Sequence, residues 1–203
     1  MTRIVLASSN PGKLRELAAL LAPLRVQLIS QGELGIAAPE ETGTTFRENA
    51  LLKARAAARQ SGLPALADDS GLEVDALGGR PGVHSARYAG AAASDSANLE
   101  RLLRELEAVP AGARRARYQC VIACVRSAED AQPLIATGTW EGHIARVPAG
   151  SGGFGYDPLF VPAGETCTAA QLLPARKNAL SHRAQALHAL IAALAREGYI
   201  AGP

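Results

Sequence analysis

Lysine is scarce in this chain: of 21 basic residues, only Lys13, Lys53 and Lys177 are not arginine. A sequence so tilted towards arginine and alanine keeps lysine where a compact ammonium serves and a planar guanidinium does not. Charge of either sign is close to balanced, at a formal net +2, which excludes nucleic-acid or membrane-surface binding through bulk electrostatics. No run of 18 or more uncharged apolar residues occurs, so no membrane-spanning helix is expected. Residues 1–8 lack the tripartite build of a signal peptide. Cysteine is limited to Cys120, Cys124 and Cys167, an odd number with no CxxC pair. Cys120 and Cys124 stand four apart in an apolar run that reads as strand, so they face one way as small core residues rather than as metal ligands. These shortages together predict a soluble, reduced, cytoplasmic protein of one domain spanning residues 1–203.

What is present begins with an apolar run at residues 3–7, a buried strand broken by Ser8-Ser9-Asn10-Pro11-Gly12. A helix follows, with Asn10 as N-cap and Pro11 at its first position; Leu14, Leu17, Leu20 and Leu21 form its apolar stripe. The capping box Thr45-Phe46-Arg47-Glu48 opens a second helix that runs to about Ser61, where Gly62 and Pro64 stop it. Ala65-Leu66-Ala67 reads as a strand ending at Asp68-Asp69-Ser70-Gly71, and Leu72–Leu77 as a short separate strand in a glycine-rich stretch. A third helix carries Leu99, Leu102, Leu103 and Leu106 after a cap at Ser94–Ser96. Residues 115–126 and 133–147 read as two long antiparallel strands, and Leu159-Phe160-Val161 as another. A helical turn opens at Thr168 and breaks at Pro174; a last helix runs from Ser181 to about Glu197, closed by Gly198. The fold class is α/β: one elongated domain with a mixed sheet and two lobes around a central cleft.

Several segments carry chemistry. The turn Ser8-Ser9-Asn10-Pro11-Gly12-Lys13 joins a strand end to a helix start, where free N–H groups, the helix dipole and Lys13 suit a phosphate. It is not a Walker A loop, since Lys13 is followed by Leu14. The neighbouring carboxylates Asp68 and Asp69 repel unless a cation or proton compensates, and hard magnesium favours such oxygens. Glu40 and Glu41 add carboxylates in the loop before the second helix, on which Asn49 and Lys53 share a face. In Gly152-Gly153-Phe154-Gly155-Tyr156-Asp157-Pro158, Phe154 and Tyr156 are candidates either for stacking on a planar base or for capping the core. Lys177, Ser181, His182 and Arg183 cluster near the start of the last helix. Positive charge there opposes the helix dipole and makes sense beside an anion or a ring carbonyl.

LASSNPGKLREL, EETGTTFRENALLKA, ALADDSGLEVDALGGRPGVHSARYAG, GGFGYDPLF and KNALSHRAQAL follow one another across nearly the whole chain. In that order they closely resemble the inosine triphosphate pyrophosphatase family, which removes non-canonical purine nucleotides. The resemblance implies a curved mixed sheet between two lobes, a homodimer and Mg²⁺ dependence. It also implies hydrolysis of ITP, dITP and XTP at the α–β anhydride, giving monophosphate and pyrophosphate. By position, Ser8, Ser9, Asn10, Pro11, Gly12 and Lys13 would bind the triphosphate, and Glu41 and Asp69 would hold Mg²⁺. Asp69 would act on the attacking water, as general base or as orienter through the metal, with Asp68 and Lys53 in support. Ser70 would contact the nucleotide; Phe154, Gly155, Tyr156 and Asp157 would cradle sugar and base; Lys177, His182 and Arg183 would contact the base. Ser9 stands where the family usually has glycine, and its Cβ narrows the backbone options at that turn.

Two other readings have different consequences. A related house-cleaning pyrophosphatase for modified pyrimidines or methylated bases lacks a reason for Ser181-His182-Arg183. A nucleotide sensor without catalysis lacks a reason for Asp68, Asp69, Glu41 and Lys53 together.

Overall fold

The computed structural model describes residues 2–22 and 26–197. Gly198 lies outside the described residues, as does the side chain of Leu20. The described chain runs β1 (Thr2–Leu6), α1 (Pro11–Leu21), β2 (Val26–Ser30), α2 (Phe46–Ser61), β3 (Ala65–Val74), α3 (Asp95–Glu105), β4 (Arg115–Val125), β5 (Leu134–Ile144), β6 (Phe160–Pro162), α4 (Pro174–Leu180) and α5 (His182–Arg196). The strands form one sheet in the order β2-β1-β3-β4-β5-β6. β1 pairs in parallel with β2, Thr2 opposite Val26 through Leu6 opposite Ser30, and in parallel with β3. β5 and β6 are antiparallel, so the sheet is mixed and the fold is α/β, as the element order predicts.

By its internal contacts the chain divides into two compact units. The first holds the segment up to Asp69, Cys120–Gly138, and the segment from Arg183 on; the second holds Ser70–Gln119 and Thr139–His182. In the first unit, side chains alternate across the strands. Ile4, Leu6, Leu66, Cys120, Ile122 and Cys124 pack on one side with Leu17 and Leu21 of α1 and with Leu187, Leu190 and Leu194 of α5. Val5, Ala7, Ala65, Ala67, Val121 and Ala123 pack on the other with Ala50, Ala54, Ala57 and Ala58 of α2. A sheet buried on both faces needs strands apolar throughout, which is why Arg3–Ala7 and Cys120–Val125 read as continuous runs. The alanines of α2 bring its backbone close to the sheet.

The second unit is built around Leu72, Val74, Leu102, Leu106, Ile144 and Leu159, with the rings of Tyr88, Tyr118, Trp140, Tyr156 and Phe160. Five of the chain's eight aromatics therefore stand in one core.

The caps read from sequence are in place. Asn10 accepts from the amides of Gly12 and Lys13 with Pro11 at the helix start. Thr45 and Glu48 form the reciprocal box of α2, and Gly62 closes that helix at φ 68°. Four elements differ from expectation. β2 has no counterpart in the sequence reading: it is a five-residue edge strand with only Ile29 buried, too short and too weakly alternating to stand out. Asp68-Asp69-Ser70-Gly71 does not end a strand; β3 runs through it unbroken from Ala65 to Val74. Turn-forming residues there are overruled because both carboxylates find cationic partners. Asp75–Leu77 is a 3₁₀ turn, not strand. Pro174 opens the separate helix α4, using the first-turn position where its missing N–H is harmless.

Candidate active site

Two side-chain clusters, one in each unit, contain most of the residues singled out above. In the first unit, β3 supplies Asp68 and Asp69, which as consecutive strand residues point to opposite faces. Asp68 lies on the side of α1 and α5. Its Oδ2 is 2.9 Å from Lys13 Nζ and accepts from Arg183 Nε and Nη2 at 3.4 Å. Arg183 also donates to Glu16 of α1. Asp69 lies on the side of α2. Its Oδ1 accepts from Lys53 Nζ at 2.8 Å, and its Oδ2 accepts from Asn49 Nδ2 at 3.4 Å. Lys53 reaches Glu41 Oε1 as well, also at 2.8 Å. Asn49 and Lys53, four apart on α2, thus present two donors to one carboxylate.

The electrostatics of the two aspartates differ. Burial by itself raises Asp68, but the charges of Lys13, Arg183 and Lys53 overcome it and hold its carboxyl well below the usual range. Burial raises Asp69 too, and there Lys53 and Lys13 do not fully offset it, so Asp69 stays above its ordinary value. Burial disfavours the Lys53 ammonium, yet Asp69, Asp68 and Glu41 outweigh that and raise it. Arg183 is likewise held charged against its burial by Asp68 and Glu16.

The phosphate turn departs from expectation. The amides of Gly12 and Lys13 are not open: both donate to Asn10 Oδ1, at 2.8 and 3.1 Å. Asn10 N–H in turn donates to Ser8 Oγ at 3.3 Å. Cap formation uses two of the donors that a phosphate would need, and the Lys13 ammonium is held at Asp68. Ser9 and Pro11 are exposed, and Ser70 is half-buried in β3. Glu40 is exposed and Glu41 is turned towards Lys53.

In the second unit, Asp157 organises the glycine-rich loop. Its Oδ2 accepts from Lys177 Nζ at 2.7 Å and from the amide of Phe154 at 2.9 Å, and Tyr118 Oη donates to its Oδ1 at 3.3 Å. The loop leaves no room beside Gly153, where a Cβ would lie 2.0 Å from Asp157 Oδ2 at φ +74°. Asp95, at the start of α3, accepts from the amide of Gly155 at 2.7 Å. The half-buried Phe154 ring has Lys177 Nζ 5.0 Å from its centroid. His182 stacks on Tyr118, rings 4.6 Å apart and tilted by 8°.

Tyr156 and Arg183 are both buried. Tyr156 is 3% exposed and donates its hydroxyl to Ser85 O at 2.8 Å, so the ring packs in the core, one of its two sequence readings. Arg183 is 1% exposed and its guanidinium is engaged by two carboxylates. Composition could have flagged this, because Asp68 needs a buried counter-charge. Sequence reasoning named neither Glu16 nor Asp95; a lone acid in the first turn of a helix reads as an ordinary helix residue.

Glu41 and Asp69 each stand 2.8 Å from the single point charge of Lys53 Nζ, so two carboxylates bracket one cation position. Among the described residues no group of three or more His, Cys, Asp or Glu converges as a ready cage. Magnesium commonly takes one or two protein carboxylates and completes its shell with water and substrate phosphates, so this donor set fits it.

The chain is similar to known proteins over nearly its whole length. The chain is 59% identical to a dITP/XTP pyrophosphatase of Methylococcus capsulatus, over 95% of this chain and 96% of that one. It is 55% identical to the dITP/XTP pyrophosphatase of Shigella flexneri, over 96% and 98%. The solved structure of a HAM1 protein from Coxiella burnetii, 51% identical, superposes with a TM-score of 0.90 over 97% of this chain and 100% of that one. The family model described as the Ham1 family matches residues 4–193, and with these relatives it shows that the chain belongs to the Ham1 family.

Proposed function

We propose that this chain is a magnesium-dependent nucleoside triphosphate pyrophosphatase that hydrolyses dITP, ITP and XTP to monophosphate and pyrophosphate. The names of its relatives support the substrate class. The observation that carries the chemistry is the set Lys13–Asp68 and Lys53–(Glu41, Asp69) in the first unit. Residues 1–203 would act as one functional domain, as a homodimer in the cytoplasm. The dimer rests on the family resemblance, and the cytoplasm on three unpaired thiols.

Hydrolysis of a phosphoanhydride needs charge neutralisation and an aligned water, and little else from the protein. Lys13 and Lys53 supply fixed positive charge for the triphosphate. Water attacks the α-phosphorus, the α–β bond breaks, and pyrophosphate leaves. Asp69 takes the water's proton or aligns the water for attack; its raised affinity for a proton suits the first role. Glu41 and Asp69 would hold Mg²⁺, which supplies Lewis-acid neutralisation of phosphate oxygens. Asp68 keeps Lys13 and Arg183 in place. Ser70 would contact the nucleotide. Phe154 and the Gly155–Asp157 backbone would receive sugar and base, with Lys177 and His182 donating to the 6-oxo edge.

A phosphate-release assay coupled to inorganic pyrophosphatase, run over dITP, ITP, XTP, ATP and GTP, tests this directly. Fast release from the first three in Mg²⁺ and none in excess EDTA is expected. Equal rates with ATP and GTP, or full activity in EDTA, would refute it.

A further inference from the structure

Asn49 is 0% exposed, an amide with no access to water, and its two ends are committed. Oδ1 accepts from the amide of Gly43 at 2.8 Å, and Nδ2 faces Asp69 Oδ2 at 3.4 Å. The orientation of the amide follows from chemistry: a backbone N–H requires the oxygen, which leaves only the nitrogen for the carboxylate. Gly43 lies two residues beyond Glu41, in the loop leading into α2. The next two amides of that loop, of Thr44 and Thr45, donate to Glu48 Oε2 at 2.7 and 3.1 Å. The loop that bears Glu41 is thus pinned to the first turn of α2, and Asn49 extends the pinning to Asp69.

Gly43 fits this contact closely. A Cβ there would meet Asn49 Oδ1 at 2.6 Å and Glu48 Cβ at 2.7 Å. Its φ is not in the left-handed region, so space rather than backbone freedom requires glycine. On the other side, Asp69 Oδ1 is held by Lys53 at 2.8 Å. With one oxygen taken by the ammonium and the other turned by Asn49, the plane of the carboxylate is fixed.

We infer that Asn49 is a positioning residue that sets Asp69 and the Glu41 loop jointly for a divalent cation before substrate arrives. The inference rests on the function proposed above. Such partners behind a metal-binding carboxylate typically change metal affinity by about 10–100-fold when removed.

The test uses two variants of the full chain. Asn49→Leu removes both hydrogen bonds at similar volume; Gly43→Ala keeps Asn49 and displaces it. Each is titrated with Mn²⁺ by electron paramagnetic resonance, without nucleotide, and its Mg²⁺ half-saturation is measured in dITP turnover beside its thermal midpoint. Mn²⁺ dissociation constant and Mg²⁺ half-saturation should both rise about 10–100-fold, with kcat at saturating Mg²⁺ falling less. A lowered thermal midpoint with wild-type Mn²⁺ affinity would show a merely structural residue and overturn the inference, as would wild-type affinity in a folded Gly43→Ala. Wild-type protein that takes up no Mn²⁺ overturns it too. Wild-type protein that binds Mn²⁺ but leaves dITP intact refutes the proposed activity instead, while the two variants still decide the role of Asn49.

Discussion

Arg183 and Asp68 stand 115 residues apart in sequence, yet Nε and Nη2 of the guanidinium both lie 3.4 Å from one carboxylate oxygen, Oδ2. Both groups are buried, at 1% exposure each. A guanidinium so placed balances a buried carboxylate.

Removing it should therefore show in stability first. Arg183→Ala removes one of the buried cations that balance Asp68, and breaking a buried pair costs about 3–5 kcal/mol. Urea denaturation is expected to report that loss, with kcat/KM falling similarly for ITP and ATP. An unchanged midpoint together with a collapsed ITP/ATP ratio would return Arg183 to the base.

The same carboxylate predicts a pH effect on the metal-free protein. Asp68 is depressed from its ordinary 3.8 in the folded state. Its contribution to stability is thus fully present above 3.8 and is lost as pH falls through the lower folded value. Asp68→Asn should be less stable than wild type at pH 7, and the gap should close as the medium is acidified below about 3.8. Asp69, whose value is raised, acts with the opposite sign. A gap that stays constant from pH 7 to acid would refute the assignment.

Lys13→Arg retains charge but should lower kcat/KM by about tenfold or more, roughly 1.4 kcal/mol of transition-state stabilisation. The ammonium shares Asp68 Oδ2 with a guanidinium already in place, and a second planar fork does not reproduce the point contact of an ammonium. Steady-state kinetics with dITP decide the matter; a wild-type value would show that the scarcity of lysine has no bearing on this position.

Tyr156→Phe separates the two sequence readings of the glycine-rich loop. The hydroxyl meets Ser85 O inside the core, so its loss should lower stability by about 1 kcal/mol. Turnover of dITP should be unaffected at saturating substrate. A stable variant with a strongly raised KM would make the ring a substrate contact after all.

Local signals were legible where one short segment decides its own structure. Asn10-Pro11 and the box from Thr45 to Glu48 specify helix starts by hydrogen bonds within four residues, and the structure has them as read. Asp68-Asp69-Ser70-Gly71 was misread because its composition favours a turn, whereas its partners Lys13, Lys53 and Arg183 come from distant segments. β2 was invisible for a related reason: as an edge strand it is fixed by pairing with β1, not by its own pattern. In the site, residue types were readable and their partners were not. Glu16, Asp95 and Asn49 matter through contacts that no spacing rule reveals.

The alternation of Asp68 and Asp69 along β3 bears on how this family can change. Leu66 shares a side with Asp68, and Ala67 shares one with Asp69. Loss or gain of a single codon within Ala65–Asp69 would turn every following side chain over. Any carboxylate beyond the change would then face the other side of the sheet, away from its own cations. Substitutions can be sampled here one at a time, but length cannot drift, because no single insertion leaves both acids with the partners they have now.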